Sequence, residues 1–194
     1  MRIVAGTKVN ASQCEDWLAV DIGFSSAKKT TGLMGQRWDE PKCVEYGQLL
    51  SECSRYAAGR KVLGLIVEAP LSFAFSSRNN PVGRNFEKRN RLTRYWYQGL
   101  GCSVMVAAAL FLRDLAKMDG ETTVHVFEGF ISFKVDATDH RKDAVRLIEN
   151  RKKVVDGSEL KVNPLDRIDS VMSLWDGDRG IPGLIKVRER RAQY

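Results

Sequence analysis

WLAVDIGF, residues 17–24, is a short apolar run of strand formers that ends near Gly23 and carries one acid, Asp21. Its length and composition predict a buried strand. A carboxylate inside such a strand needs a cleft, a metal ion or a turn that it caps, because an isolated buried charge is costly.

Working outward, TTGLMGQRW (residues 30–38) alternates loosely and predicts a second strand, and KCVEYGQ (42–48) a third. Their short connections imply an antiparallel meander. Helical spacing over Leu49 to Ala58 stops at Gly59. KVLGLIVEAPL (61–71) is continuously apolar, as expected of a central strand buried on both faces. A helix is expected from near Asn90 and through Ser103 to Met118, then a fifth strand in TTVHVFEG (122–129). Thr138 or Asp139 caps a helix through Asn150, and Pro164 opens a final helix to about Trp175. Three strands, helix, strand, helix, strand, helix, helix is the order of an α/β RNase H-like fold with one added helix. It implies a mixed five-stranded sheet, three antiparallel strands then two parallel, flanked by helices. The expected limits are a leader over 1–16, one domain over 17–177 and a basic tail over 178–194.

The acids fall at particular stations of that order. Asp21 lies in the first strand, Glu68 ends the central one, and Asp166 and Asp169 lie three apart on the expected last helix, projecting from one face. Carboxylates gathered there repel one another, and a hard divalent cation, Mg²⁺ or Mn²⁺, relieves the repulsion with oxygen ligands. Two such ions about 4 Å apart activate water and stabilise the leaving oxygen in phosphodiester cleavage. The structural alternatives are a turn cap for Asp21, a solvated strand end for Glu68 and a favourable first-turn charge for Asp166. Glu128, ending the fifth strand, is a further candidate for the same cleft. His125 reads as a packed strand residue and His140 as part of a helix cap.

The net charge is +7, from 31 basic and 24 acidic residues, which favours polyanionic partners. Residues 78–94, RNNPVGRNFEKRNRLTR, hold six bases against one acid and precede YWYQ. Arg78, Arg84, Lys88, Arg89, Arg91 and Arg94 suit a phosphate backbone, with Tyr95, Trp96 or Tyr97 to stack on a base. A solvated charged loop is the other reading, and KVRERRAQY at the C-terminus is a second basic patch. Cys14, Cys43, Cys53 and Cys102 show no metal-ligand spacing and read as free thiols. The N-terminus lacks the apolar core of a signal peptide, and the longest apolar stretch, 104–112, falls short of a membrane span. A cytoplasmic protein with no membrane partner is expected.

Together, VDIGFSSAKKTTGL, VEAPLSF, GRNFEKRNR, VHVFEGFISF and LDRIDSVMSL resemble an uncharacterised family of predicted nucleases with an RNase H-like fold, over residues 18–176. The resemblance implies that Asp21, Glu68 and Asp169 are the metal-site acids, with Asp166 assisting. It also implies that Arg84 and Arg91 line the cleft. Family members often carry a proline-containing stretch where this chain reads EGFISF, and an alanine where it has Ser170.

The leading expectation is a Mg²⁺- or Mn²⁺-dependent nuclease acting on DNA or RNA, with Asp21 bridging the ions and Glu68 and Asp169 completing the site. Two alternatives stand beside it. One is a non-catalytic nucleic-acid-binding module of the same fold. The other is a small nucleotide-binding protein of actin-like type that uses the Ser25 to Gly32 loop.

Overall fold

The computed structural model describes residues 1–23, 29–89, 92–93, 99–132, 139–161, 163–173 and 180–188. It is an α/β protein with a mixed sheet flanked by helices. The apolar run at the start of the chain's first expected strand becomes β2 (Asp16–Asp21), preceded by β1 (Arg2–Ala5) and a short α1 (Lys8–Ala11). β3 (Thr31–Gly35) and β4 (Lys42–Val44) complete the antiparallel meander, and α2 (Tyr46–Ala57) follows. β5 (Val62–Glu68) lies parallel to β2. After it come the short strands β6 (Ser72–Phe75), β7 (Pro81–Val82), β8 (Lys88–Arg89) and β9 (Leu92–Thr93). α3 (Leu100–Ala116) leads to β10 (Thr123–Ser132), parallel to β5. α4 (His140–Glu149), β11 (Val154–Val155), β12 (Arg167–Ser170) and β13 (Leu184–Arg188) end the described chain.

All five expected strands form, in the spatial order β4-β3-β2-β5-β10. The sheet extends beyond them. β1 and β13 take the same edge of β10 in succession, both parallel, one against Thr123–Val126 and the other against Glu128–Ser132. β11 closes that side antiparallel to β13. Residues expected as a leader and as a basic tail therefore supply strands of the main sheet. Ile3, Ile185 and Val187 are buried and show why: each carries an apolar side chain into the core.

Alternation along the central strands separates two cores. Leu18 and Val20 of β2, with Leu63, Leu65 and Val67 of β5, pack with α2 and α3. Trp17, Ala19 and Ile66 face the other way and pack with Ala144, Leu147 and Ile148 of α4. The sheet thus sits between α2 and α3 on one face and α4 on the other. Burial of Leu147 and Ile148 contributes about 1.5–3 kcal/mol each to holding α4 in place.

The last expected helix does not form over Arg167–Ser170. Those residues are β12, which pairs antiparallel with β6 in a separate three-stranded sheet β12-β6-β7. Local side chains take the backbone groups a helix would use. Asp166 accepts from the Asn163 amide at 3.1 Å, Asn163 from the Leu165 amide at 3.0 Å, and Asp169 from the Ser170 amide at 2.8 Å. Asn, Asp and Ser compete with helix geometry in this way. The expected helix from near Asn90 starts at Leu100, after the β8–β9 ribbon.

The four cysteines form no disulfide. Among the described residues no helix is long and apolar enough to cross a membrane.

Candidate metal centre

Asp21 and Glu68 are the last residues of two parallel neighbours, β2 and β5, and are Cα partners in their register. Because side chains alternate across a strand, Asp21 follows Ala19 and Glu68 follows Ile66 onto the face that α4 covers. Both acids therefore lie at the carboxyl ends of parallel strands, where α/β sheets place ligands.

A third acid comes from α4. Asp139 caps that helix, accepting from the Arg141 amide, and the first turn then carries His140 and Asp143. Asp143 continues the buried stripe of Ala144, Leu147 and Ile148, so it faces the sheet rather than solvent. Its position in the first turn suits a carboxylate, since the helix dipole is positive there. Arg146 lies 3.4 Å from its Oδ1.

Gly32 of β3 lets the helix come this close. It is the register partner of Asp21, and a Cβ on it would overlap the backbone carbonyl of His140 and lie 2.7 Å from the Arg141 amide nitrogen. Gly129 does the same further along, where a Cβ would lie 2.8 Å from Leu147 Cδ2. Gly32 thus permits backbone-close packing of α4 against the sheet, and Gly129 leaves room for the Leu147 side chain.

Carboxylate oxygens of Asp21, Glu68 and Asp143 consequently lie within 4.8 Å of one another. The residues are 3%, 6% and 3% exposed, so water screens their repulsion poorly. His140 Nδ1 is 2.9 Å from Asp21 Oδ2, at the rim of the group. The donor set suits a hard divalent cation, which takes oxygen ligands at about 2.0–2.6 Å and offsets mutual repulsion of the acids.

Of the expected site residues, the structure brings together Asp21 and Glu68. Asp169 is not in this group: it lies half-buried on β12 opposite Phe73, in the smaller sheet. Asp166 is buried in its own turn, with both carboxylate oxygens accepting from Asn163. Asp143 does not stand out in the sequence, because charged residues surround it in HRKDAVRLIE. The 143-144-147-148 spacing, which places that acid on the apolar stripe, was the available signal.

Within the basic loop the structure differs from the expectation at Arg84. Arg84 is fully buried and lines no open cleft. It pairs with Glu87 at 2.8 Å and Glu128 at 2.9 Å, and donates to Ser72 Oγ at 2.5 Å. Its guanidinium also stacks on Phe86, 4.4 Å from the ring centre. Glu128, the register partner of Val67, faces the side opposite Glu68 and serves Arg84. Arg78 is exposed beyond the β6 strand, and Lys88 is on β8. Arg91, Arg94 and the Tyr95–Tyr97 run lie outside the described residues, as do residues 25–28 of the Ser25 to Gly32 loop. His125 is nearly buried in β10, as its strand position suggested; burial and then Arg2 hold its pKa below the ordinary value.

No protein-family model, no curated protein and no solved structure matches the chain.

Proposed function

We propose that this protein is a Mg²⁺- or Mn²⁺-dependent nuclease of RNase H-like architecture that hydrolyses phosphodiester bonds in nucleic acid. The observation that carries the reading is the buried group of Asp21, Glu68 and Asp143 at the ends of two parallel strands. The strand order β4-β3-β2-β5-β10 supports the architecture.

In this reading Asp21 and Glu68 are the sheet-borne ligands, and Asp143 replaces Asp169 as the third acid. When bound, the metal supplies a water acidified for attack and a positive charge for the leaving oxygen. The protein's part is to fix three oxygens on rigid elements, two on strand ends and one on a helix seated by Gly32. His140 holds Asp21 from the rim, orienting one carboxylate oxygen. The surplus of basic residues steers a polyanion to the protein.

Incubation of purified protein with labelled single-stranded and duplex DNA and RNA, with Mn²⁺ or Mg²⁺ and with chelator, tests the proposal. Metal-dependent cleavage that disappears in a folded Asp21→Asn variant is expected. Cleavage that survives this substitution sinks it. Salt-sensitive binding without turnover would instead favour the non-catalytic module.

A further inference from the structure

A second charged feature occupies the other face and the other end of β2. Asp16, the first residue of that strand, is fully buried on the α2 side, whereas Asp21 ends it on the α4 side. Five residue rises separate them, about 16 Å along the strand. Above Asp16 opens a cleft of about 240 Å³ lined by Arg37, Lys42, Arg55 and Arg60, by Glu52 and by the rings of Trp38 and Tyr56.

The cations are organised by two carboxylates. Asp16 Oδ2 contacts Arg60 Nη2 at 2.9 Å and Arg37 Nε at 3.0 Å. Glu52 contacts Lys42 at 3.0 Å and Arg55 at 2.7 Å. Four positive charges against two negative ones leave a surplus of two in a single concavity. The rings hold the heads in place: Lys42 Nζ lies 4.3 Å from the Trp38 ring centre and Arg60 Cζ lies 4.2 Å from that of Tyr56. Trp38 and Tyr56 meet edge to face, so the two cation–ring pairs form one wall.

The anchoring persists across neutral pH. Burial, then the hydrogen bond to Asp16, pushes the Tyr56 hydroxyl up to about 12, so it remains a donor to Asp16 Oδ1 at 2.8 Å. Burial pulls Glu52 upward, but Lys42 and Arg55 outweigh it and hold the carboxyl below its ordinary value. Arg37 and Arg55 are 65% and 70% exposed, which leaves their remaining N–H groups accessible from solvent.

We infer that this cleft is an anion site for a phosphate dianion, free or as a phosphomonoester, separate from the carboxylate group and independent of metal. A terminal phosphate carries a charge of about −1.5 to −2 at pH 7, matching the surplus, whereas a phosphodiester carries only one. Guanidinium forks match phosphate oxygens in pairs, and an ammonium adds a point charge. The site therefore ranks dianions above monoanions.

Isothermal titration of the full chain without divalent metal, using inorganic phosphate, adenosine 5′-monophosphate and dimethyl phosphate, tests this. Saturable 1:1 binding of inorganic phosphate is expected, with dimethyl phosphate at least about tenfold weaker. Equal affinity for phosphate and the nucleotide assigns the site to the phosphoryl group itself; tighter nucleotide binding adds the nucleoside. An Arg37→Ala/Arg55→Ala variant, its fold verified by circular dichroism, should lose at least about tenfold in affinity. Lys42→Gln, which removes one charge, serves the same purpose if the double variant does not fold. The inference is overturned if no phosphate binding saturates by about 10 mM, if dimethyl phosphate binds equally well, or if the folded variant binds as the parent does.

Discussion

Gly32 of β3 and His140 of α4 meet backbone to backbone, and this contact sets the third acid beside the other two. A Cβ on Gly32 would overlap the His140 carbonyl, so alanine there must push the helix N-terminus off the sheet. Gly32→Ala should destabilise the protein by about 1–3 kcal/mol, the usual range for overpacking. It should also weaken Mn²⁺ binding by displacing Asp143. Urea unfolding and a metal titration check the two effects. Parent-like values for both would show that the helix has room to move.

Asp143 and Asp169 are the discriminating pair for the proposed metal site. Asp143 belongs to the buried group with Asp21 and Glu68, whereas Asp169 lies on the separate sheet. Asp143→Asn should reduce Mn²⁺ affinity by more than the roughly 10- to 100-fold that loss of an outer-sphere partner costs. Asp169→Asn should leave it within about threefold of the parent. The reverse ranking, read by calorimetry, would return Asp169 to the site and remove Asp143.

His140 touches Asp21 from the rim at 2.9 Å, so its loss should act through that carboxylate. His140→Ala should lower Mn²⁺ affinity about 10- to 100-fold, and His140→Asn, which keeps a nearby donor, should recover part of it. An alanine variant with undiminished affinity would leave His140 with no part in orienting the site.

Metal should also stabilise the fold, because the three acids are gathered only in the native chain. A free ion concentration of 100 times its dissociation constant contributes about 2.7 kcal/mol, or roughly 5–10 °C in Tm for a chain of this size. The increase should vanish with chelator and in Asp21→Asn. A melting temperature indifferent to Mg²⁺ and Mn²⁺ would count against a metal at this position.

What the sequence revealed of these residues follows from how each signal arises. Asp21 and Glu68 were legible because an acid in an apolar strand violates its own neighbourhood. β2 and β5 were legible for the related reason that continuous apolar runs have few other uses, and β3 through its loose alternation. Asp166 and Asp169 misled because Pro164 and the Ile168-Val171-Met172 spacing fit a helix. The outcome turned on Asn163, Asp166 and Ser170 bonding to nearby backbone and on an edge of β6 that no local pattern reveals. β1 and β13 were hidden for the same reason: strands of four and five residues at the chain ends gain their identity from β10. Arg84 looked like a phosphate ligand since its two acidic partners lie 3 and 44 residues away, and only the fold brings Glu128 to it.

That buried trio makes the sharpest stability prediction. Arg84 sits between Glu87 and Glu128 with all three side chains fully buried, so one cation faces two acids. Arg84→Met should cost about 3–5 kcal/mol, since it strands two carboxylates without their counter-charge. Glu128→Gln should behave differently. Burial raises the Glu128 pKa above its ordinary 4.5 more strongly than Arg84 lowers it, so the native chain binds this proton more tightly than the unfolded one. That contribution is complete below about 4.5 and is lost as pH rises through the raised native value. Glutamine retains an acceptor for the Leu71 amide and for Arg84 but has no proton to lose. The variant should therefore gain on the parent as pH increases from about 4.5 and hold a constant advantage once Glu128 is fully ionised. Urea unfolding from pH 4 to pH 8 measures the difference, and a gap that narrows with rising pH would show that Arg84 stabilises the ionised carboxylate more than burial opposes it.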